Sequence, residues 1–224
     1  MQRKVEAMDW AAADLTERNL YKLLVNTVIP RPIALVTTVD AAGTRNAAPF
    51  SFFNVFSHAP PLVVLGIEGR QLTPPLKDTM NNIRATGTFV VNLVDRALVE
   101  AMMICAIELS SDVDELAAAG LATAPSRQVA APRISASPVQ FECRETVSLS
   151  FGIRHRNLVV GEILHLHLRD GLVDDNFHVD VDALDLVGRL GADWYTTTRD
   201  RFRTPRISAD EWNARQRAAA KDKV

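Results

Sequence analysis

The run V-Q-F-E-C-R-E-T-V-S-L-S-F, Val139 to Phe151, sets Val139, Phe141, Cys143, Val147, Leu149 and Phe151 at alternate positions, with mostly polar residues between. Successive strand side chains point to opposite faces, so this periodicity predicts a long, half-buried β-strand. Glu145 breaks the apolar set and predicts a bulge. The next run carries Leu158, Val160, Leu164, Leu166 and Leu168 on one face, with Glu162 the exception. Its other face carries Val159, Gly161, Ile163, His165 and His167. The two runs pair as antiparallel neighbours across a loop at Ile153 to Asn157.

Working outward, shorter elements precede this hairpin. Leu20, Leu23 and Leu24 after Thr16 have the spacing of a short amphipathic helix packed on the body. Pro30 and Pro32 end it and launch a strand, Ile33 to Val39, apolar on both faces as a barrel-interior strand would be. D-A-A-G-T, Asp40 to Thr44, is a hairpin loop in which Gly43 can take positive φ. Leu62 to Ile67 and Thr88 to Val94 are further β-rich runs. Asp78 to Ala85 reads as a helix ending at Gly87, and Arg96 to Ile107 as another, with Leu98, Met102 and Cys105 on one stripe. Short strands with few long helices, in meander-plus-crossover order, predict a mainly β (α+β) fold built on a small barrel. There is no internal repeat and no low-complexity linker, so residues 1–224 form one domain, with 1–15 and 205–224 as peripheral tails.

A second stretch, N-A-A-P-F-S-F-F-N from Asn46 to Asn54, bears on function. Pro49 cannot donate to a sheet ladder, so its strand lies at an edge or is bulged there. An interrupted ladder leaves main-chain N–H and C=O groups in need of partners. The small Ala47 and Ala48 on one side, and Ser51 and Asn54 on the other, allow a heteroaromatic edge to hydrogen-bond to the main chain. An irregular edge strand capped by solvent fits the same residues.

Composition narrows the classes. The chain has 224 residues, 47% hydrophobic and 23% charged, with a formal net charge of −2, which gives no basis for nucleic acid or an anionic membrane as partner. Met1 to Asp9 is polar without an apolar core, and no apolar run reaches the length of a membrane span. Only Cys105 and Cys143 are present, each in apolar sequence, which suits buried thiols in a reducing cytoplasm. No C-x-x-C or H-E-x-x-H suggests a metal, and no G-x-S-x-G makes Ser51 a hydrolytic nucleophile. His165-x-His167 puts two imidazoles on one strand face, but no third ligand stands at a suitable distance, so both read as surface histidines. His58, His155 and His178 fall in loops without a nucleophile and acid partner. The Met102–Met103 pair reads as core filler. Asp170 to Asp185, with six aspartates and no Lys or Arg, is a solvated loop, and the basic tail from Arg199 is an exposed helix or frayed end.

Several blocks in collinear order carry a resemblance. They are P-R-P-I-A-L-V-T-T (Pro30–Thr38), N-A-A-P-F-S-F-F-N-V-F-S, Pro60-Pro61, K-D-T-M-N-N-I (Lys77–Ile83), S-P-V-Q-F-E-C (Ser137–Cys143), V-V-G-E-I (Val159–Ile163) and V-G-R-L-G-A-D-W-Y (Val187–Tyr195). Together they resemble the flavin reductase-like family of FMN-binding split barrels over Leu20 to about Phe202. The resemblance implies a six-stranded antiparallel Greek-key split barrel with flanking helices. It also implies FMN as cofactor, NADH or NADPH as electron donor, a homodimer, and a partner monooxygenase that receives reduced flavin. An FMN-binding electron carrier without NAD(P)H activity is the alternative. The apolar runs Ile33–Val39 and Leu62–Ile67 carry more hydrophobic surface than one barrel interior needs, which also suggests an interface.

The site follows from the same blocks. By resemblance, Thr37 and Thr38 face the ribityl and phosphate, and Ala48, Pro49, Phe50 and Ser51 run along the isoalloxazine edge, with Phe52 and Asn54 completing the pocket. Lys77, Asp78 and Thr79 open a helix. On local chemistry that is a capping turn or an anion site; by resemblance it holds the FMN phosphate. Arg31 is a phosphate contact or a surface charge. Arg189 is expected to reach the site from the other subunit, and Ala192 stands where the family pattern has a second glycine. No residue is assigned as catalytic, because hydride transfer from nicotinamide to flavin needs orientation rather than a side-chain acid or base.

Overall fold

The computed structural model describes residues 8–69, 76–152 and 155–221. Positions 1–7 and 222–224 of the expected tails, and 153–154 of the expected hairpin loop, lie outside the described residues. In chain order the elements are α1 (Glu17–Thr27), β1 (Arg31–Pro32), β2 (Ala34–Val39), β3 (Arg45–Phe50), β4 (Phe53–His58), β5 (Pro61–Ile67), α2 (Asp78–Thr86), β6 (Thr88–Leu93), α3 (Val99–Cys105) and α4 (Glu115–Ala118). There follow β7 (Thr123–Ala124), β8 (Arg133–Ile134), β9 (Val139–Phe151), β10 (Arg156–Leu168), α5 (Val181–Leu184), β11 (Val187–Arg189), β12 (Tyr195–Thr197) and α6 (Ala209–Lys221). None of the helices described is long and apolar enough to cross a membrane.

The main sheet has seven strands in the order β3-β2-β6-β9-β10-β5-β4, rather than the six expected, because β4 joins as an edge strand against β5. Its two edge strands, β3 and β4, are consecutive in sequence and joined only by Ser51 and Phe52. A sheet whose opposite edges are linked by two residues must curl until those edges meet. The barrel is therefore closed by a covalent corner at A-P-F-S, and split there because no ladder runs between β3 and β4. Pro49 sits on the edge strand opposite Leu35, where its missing N–H costs no interior ladder bond.

Two hydrophobic clusters lie on the two sides of β2. Ala34 and Val36 face a barrel core with Phe53, Val63, Leu65, Met80, Ile83, Phe89 and Cys143. Ile33 and Leu35 face a second core with Leu98, Met102, Cys105, Leu116 and Ile134 under the helices. The apolar character of β2 on both faces is thus used within one chain, and all six of its residues are buried. Val63, Leu65 and Ile67 are likewise buried, so neither run is the exposed surface expected of an interface.

The exposed apolar surface is elsewhere. On β9, Val147, Leu149 and Phe151 are 45%, 48% and 54% exposed, opposite Val160, Leu158 and Arg156 of β10. The alternation of this strand is real, but only its first half, including Val139 and Cys143, is buried. A register shift between Val160 and Gly161 marks the bulge beside Glu145, and a second lies between Ile163 and His165. At Gly161 a Cβ would come within 2.4 Å of the Phe89 ring, so only glycine lets that ring fill the barrel core there. Helix α1 begins at Thr16, which accepts from the Asn19 N–H at 3.3 Å. Its apolar stripe is largely open, however: Tyr21 and Leu24 are each 50% exposed and only Val25 is buried.

Candidate functional site

Along the outer edge of β3 runs a groove made of two clefts, of about 320 Å³ and about 240 Å³, that share Pro49 and Ala106. The larger is walled by Tyr21, Ile33, Phe50, Met102, Met103 and Tyr195, with Arg31 and Arg189 also lining it, and is the more apolar of the two. The smaller is polar, with Lys77, Asp78, Thr79, Asn46, Glu108 and Glu115 around it. Local sequence explains the arrangement. Proline and small side chains on β3 leave its outer edge unpaired, and the helix start at Lys77 is brought up beside it because Met80 and Ile83 of α2 are fully buried in the barrel core.

Lys77 is the N-cap residue of α2 and its side chain makes no capping bond. It reaches instead over the Phe50 ring, with Nζ 5.6 Å from the centroid. The K-D-T and A-P-F-S blocks therefore meet across the groove. Thr79 is buried and donates to Asn46 Oδ1 at 2.9 Å.

Of the residues expected at the site, Ala48, Pro49, Phe50, Ser51, Lys77, Asp78, Thr79, Arg31 and Arg189 line the groove. Four do not. Thr37 is turned to the far side of β2, where its hydroxyl donates to Pro132 O at 2.5 Å. Thr38 is fully buried beneath the groove, donating to Asn46 Oδ1 at 3.3 Å and accepting from Asn82 Nδ2 at 3.0 Å. Phe52 and Asn54 fall beyond the corner, exposed on the β4 side, and Asn54 Oδ1 is occupied by the Val55 N–H at 2.8 Å. The corner that splits the barrel carries them away.

Both arginines line the larger cleft. Arg31 is neither a surface charge nor beside Lys77: it is 7% exposed at the apolar end. Its guanidinium donates to Val25 O, to Val28 O at 3.3 Å, to Leu190 O at 3.1 Å and to Ser51 Oγ at 3.2 Å, tying α1, the turn after β11 and the A-P-F-S corner together. Arg189 lines the groove of its own chain, bonded to Tyr195 Oη and Ala192 O, with its guanidinium carbon 4.6 Å from the Tyr195 ring centroid. Ala192 has φ of +49°, the left-handed conformation that glycine takes freely, so the alanine holds the expected turn under mild strain. At the preceding Gly191 a Cβ would lie 1.6 Å from Asn26 Oδ1, which fixes how closely α1 meets this turn.

Glu115, Met103 and Cys105 are among the groove residues that the sequence did not mark as part of a site. Glu115 is 6% exposed, sits in S-S-D-V-D-E-L without any motif, and becomes visible only because α4 lies against β3. Desolvation raises its pKa, against the pull of hydrogen bonds from Ala47 N and Asn46. Met103 is 45% exposed and part of the apolar wall, so only Met102 of the pair is core filler. Cys105 lines the polar cleft, but burial, followed by the charge of Glu115, pushes its thiol up to about 11 and leaves it protonated at neutral pH. Cys143 is also a free, buried thiol, raised by burial.

The histidine pair is not a surface pair. His167 Nε2 lies 2.5 Å from Oε1 of Glu142, whose side chain is fully buried, and the two imidazole centroids are 4.5 Å apart. Desolvation works to raise the Glu142 pKa, but bonds from Arg127 N, His167 and Gln128 N outweigh it and hold the pKa below the usual value. Among the described residues, no three His, Cys, Asp or Glu side chains are grouped to hold a metal ion.

The chain belongs to the flavin reductase-like family: the model of the flavin reductase like domain matches residues 26–183. Among its relatives is a protein of Deinococcus radiodurans, 40% identical over 205 residues covering 88% of this chain and 89% of that one. The crystal structure of a 2-nitrobenzoate 2-nitroreductase of Pseudomonas fluorescens superposes with a TM-score of 0.82 at 35% identity, covering 90% of this chain and 98% of the other. Nitrilotriacetate monooxygenase component B of Bacillus cereus gives 0.84 at 27% identity, covering 89% and 99%.

Proposed function

We propose that this protein is an NAD(P)H-dependent flavin reductase that uses FMN and passes reduced flavin to a partner monooxygenase. The observation that carries this is the groove along β3, more apolar at one end and polar with a lysine and a helix N-terminus at the other. That polarity complements a molecule with a flat aromatic end and a phosphate end. When bound, FMN supplies N5 as acceptor for hydride from the nicotinamide C4.

The chain's own residues would hold and orient. Lys77 Nζ and the first-turn N–H groups of α2 favour the phosphate. The unpaired edge of β3 at Ala48 to Ser51 offers main-chain groups to the isoalloxazine edge, and Phe50, Met102, Met103 and Tyr195 exclude water around the ring. Ser51 is held by Arg31 and thereby fixes the corner. Cys105, being protonated, offers no thiolate nucleophile to add to the flavin in place of hydride. The absence of any G-x-G-x-x-G implies that nicotinamide binds on the flavin face alone.

Similarity to a monooxygenase component supports the partner. The open apolar face of β9 and β10 supports a homodimer, and two buried free thiols suit a cytoplasmic setting. Direct reduction of a nitroaromatic at the same face is the second function supported, by the 35% identity to a nitroreductase.

The test is the absorbance spectrum of the purified protein with FMN, followed by anaerobic NADH and NADPH. Bleaching of the flavin band by either supports a reductase. A bound flavin that neither nucleotide bleaches leaves an electron carrier, and failure to bind FMN rejects the proposal. Reoxidation of the bleached flavin by nitrobenzoate, in the absence of oxygen, separates the second function from the first.

A further inference from the structure

Beneath the polar cleft, one chain of buried hydrogen bonds joins α4, β3, β2 and α2. Glu115 accepts from Ala47 N at 3.1 Å and from Asn46 Nδ2 at 3.0 Å. Asn46 Oδ1 in turn accepts from Thr79 Oγ1 at 2.9 Å and Thr38 Oγ1 at 3.3 Å. The polarity of this chain is dictated from one end. A carboxylate has no proton to give, so the Asn46 amide must turn its NH₂ toward Glu115 and its oxygen toward the threonines. The Thr79 hydroxyl proton is consumed inside, and Thr79 presents only lone pairs to the cleft. An entering phosphate is also a pure acceptor and would meet those lone pairs together with the charge of Glu115.

Among the described residues, Asp78 on α2, Glu108 after α3 and Lys77 line the same cleft, and Cys105 of α3 is protonated. On the near side, Asp114 is already paired with Arg45 of β3 at 2.8 Å. A proton on Glu115 reverses the polarity. The carboxyl donates to Asn46 Oδ1 once the amide has turned over, Asn46 Nδ2 donates to Thr79 Oγ1, the Thr79 O–H points into the cleft, and the Thr38 hydroxyl gives up Asn46 Oδ1 as its acceptor.

We propose that Glu115 takes up a proton when a phosphorylated flavin enters, and that the Asn46 amide relays it so that Thr79 becomes a donor to the phosphate. Glu115 is a positioning residue here, acting on the ligand through Asn46 and Thr79. The inference rests on the phosphate lying at Lys77 to Thr79, as in the function proposed above. Burial already favours the protonated form of Glu115 before any ligand adds its charge.

The experiment is calorimetric titration of the protein with FMN at about pH 8, in buffers of different ionisation enthalpy, so that proton uptake is read from the buffer dependence. Parent protein and Glu115→Gln are compared, since the phosphate's own second ionisation near pH 6 contributes equally to both. The carboxamide imitates the protonated acid. It accepts from Ala47 N and donates to the turned Asn46. The variant should bind FMN about tenfold more tightly than the parent at about pH 8, equivalent to one pKa unit of linkage. It should also show up to one proton less uptake, and its advantage should shrink as pH falls and Glu115 of the parent becomes protonated. Riboflavin, which lacks the phosphate, should distinguish the two proteins far less.

Equal proton uptake by parent and variant, or weaker FMN binding by the variant at every pH, overturns the proposal. Failure of the parent to bind FMN at all rejects the flavin site itself, a different signature. Should Glu115→Gln not fold, infrared difference spectra of the parent give the answer without a variant. Gain of a protonated-carboxyl band on adding FMN is expected, and its absence is decisive against Glu115.

Discussion

The Lys77 ammonium nitrogen sits 5.6 Å from the centre of the Phe50 ring, joining two segments that are 27 positions apart in sequence (77 − 50). One segment is a helix start and the other the last residue of an edge strand. Their contact spans the groove at the point where its two clefts join.

Replacing Lys77 by alanine should weaken FMN binding. Loss of a charge-assisted bond to phosphate costs about 1.5–3 kcal/mol, roughly one to two decades in Kd. Titration followed by flavin fluorescence measures it. A variant that binds as tightly as the parent would remove the phosphate from this end of the groove.

Ser51→Ala should act on structure and binding, and little on chemistry. Ser51 Oγ is the acceptor for Arg31 Nε in a 7%-exposed setting, so its loss leaves a buried donor unpaired at about 1–3 kcal/mol. A lowered Tm and a raised Kd for FMN are expected, with turnover at saturating FMN within about tenfold of the parent, since 1.4 kcal/mol is one decade. A loss of about 10²–10⁴-fold in turnover would instead mark Ser51 as an acid–base group.

His167 and Glu142 should govern acid stability and leave hydride transfer alone. The Glu142 pKa is depressed in the folded state, so its contribution is present above the unfolded value and is lost as pH falls through the folded one. Glu142→Gln should flatten the dependence of Tm on pH below about pH 5. His167→Ala removes one of three donors to that carboxylate and should lower Tm, while turnover at saturating flavin and NADH stays unchanged. A hundredfold fall in turnover would move this strand face into the active site.

Light scattering should give a particle of about twice 24.7 kDa at micromolar concentration. Leu149→Lys, placed in the exposed apolar face of β9, should shift it toward the monomer, since each apolar side chain buried there contributes about 1.5–3 kcal/mol. A dimer untouched by this charge must use another surface.

Much of the fold was legible in the chain because it rests on local periodicity. Alternation along Val139 to Phe151 marked the long strand, Pro49 required an edge, and Thr16 and Gly87 bounded helices where capping rules put them. At Ala48 to Ser51 and Lys77 to Thr79 residue type marked an edge proline and a lysine at a helix start, and resemblance to the family assigned both to a site. Helix α1 shows the limit. Its spacing announced an apolar stripe, but not that Tyr21 and Leu24 would stay half in solvent.

Tertiary structure alone decided what faces what. Both faces of β2 are apolar whether the second is covered by helices or by another subunit, and only the packing of Leu98, Met102 and Leu116 against Leu35 settles that one chain covers both. Arg31 carries the same charge anywhere, and becomes a buried clamp because carbonyls from residues 25, 28 and 190 converge on it. Glu115 has no motif, and its place under the groove depends on a backbone N–H and an amide 68 and 69 residues away. Periodicity is a property of neighbours in sequence, whereas burial and hydrogen-bond partnership are set by the closure of the chain on itself.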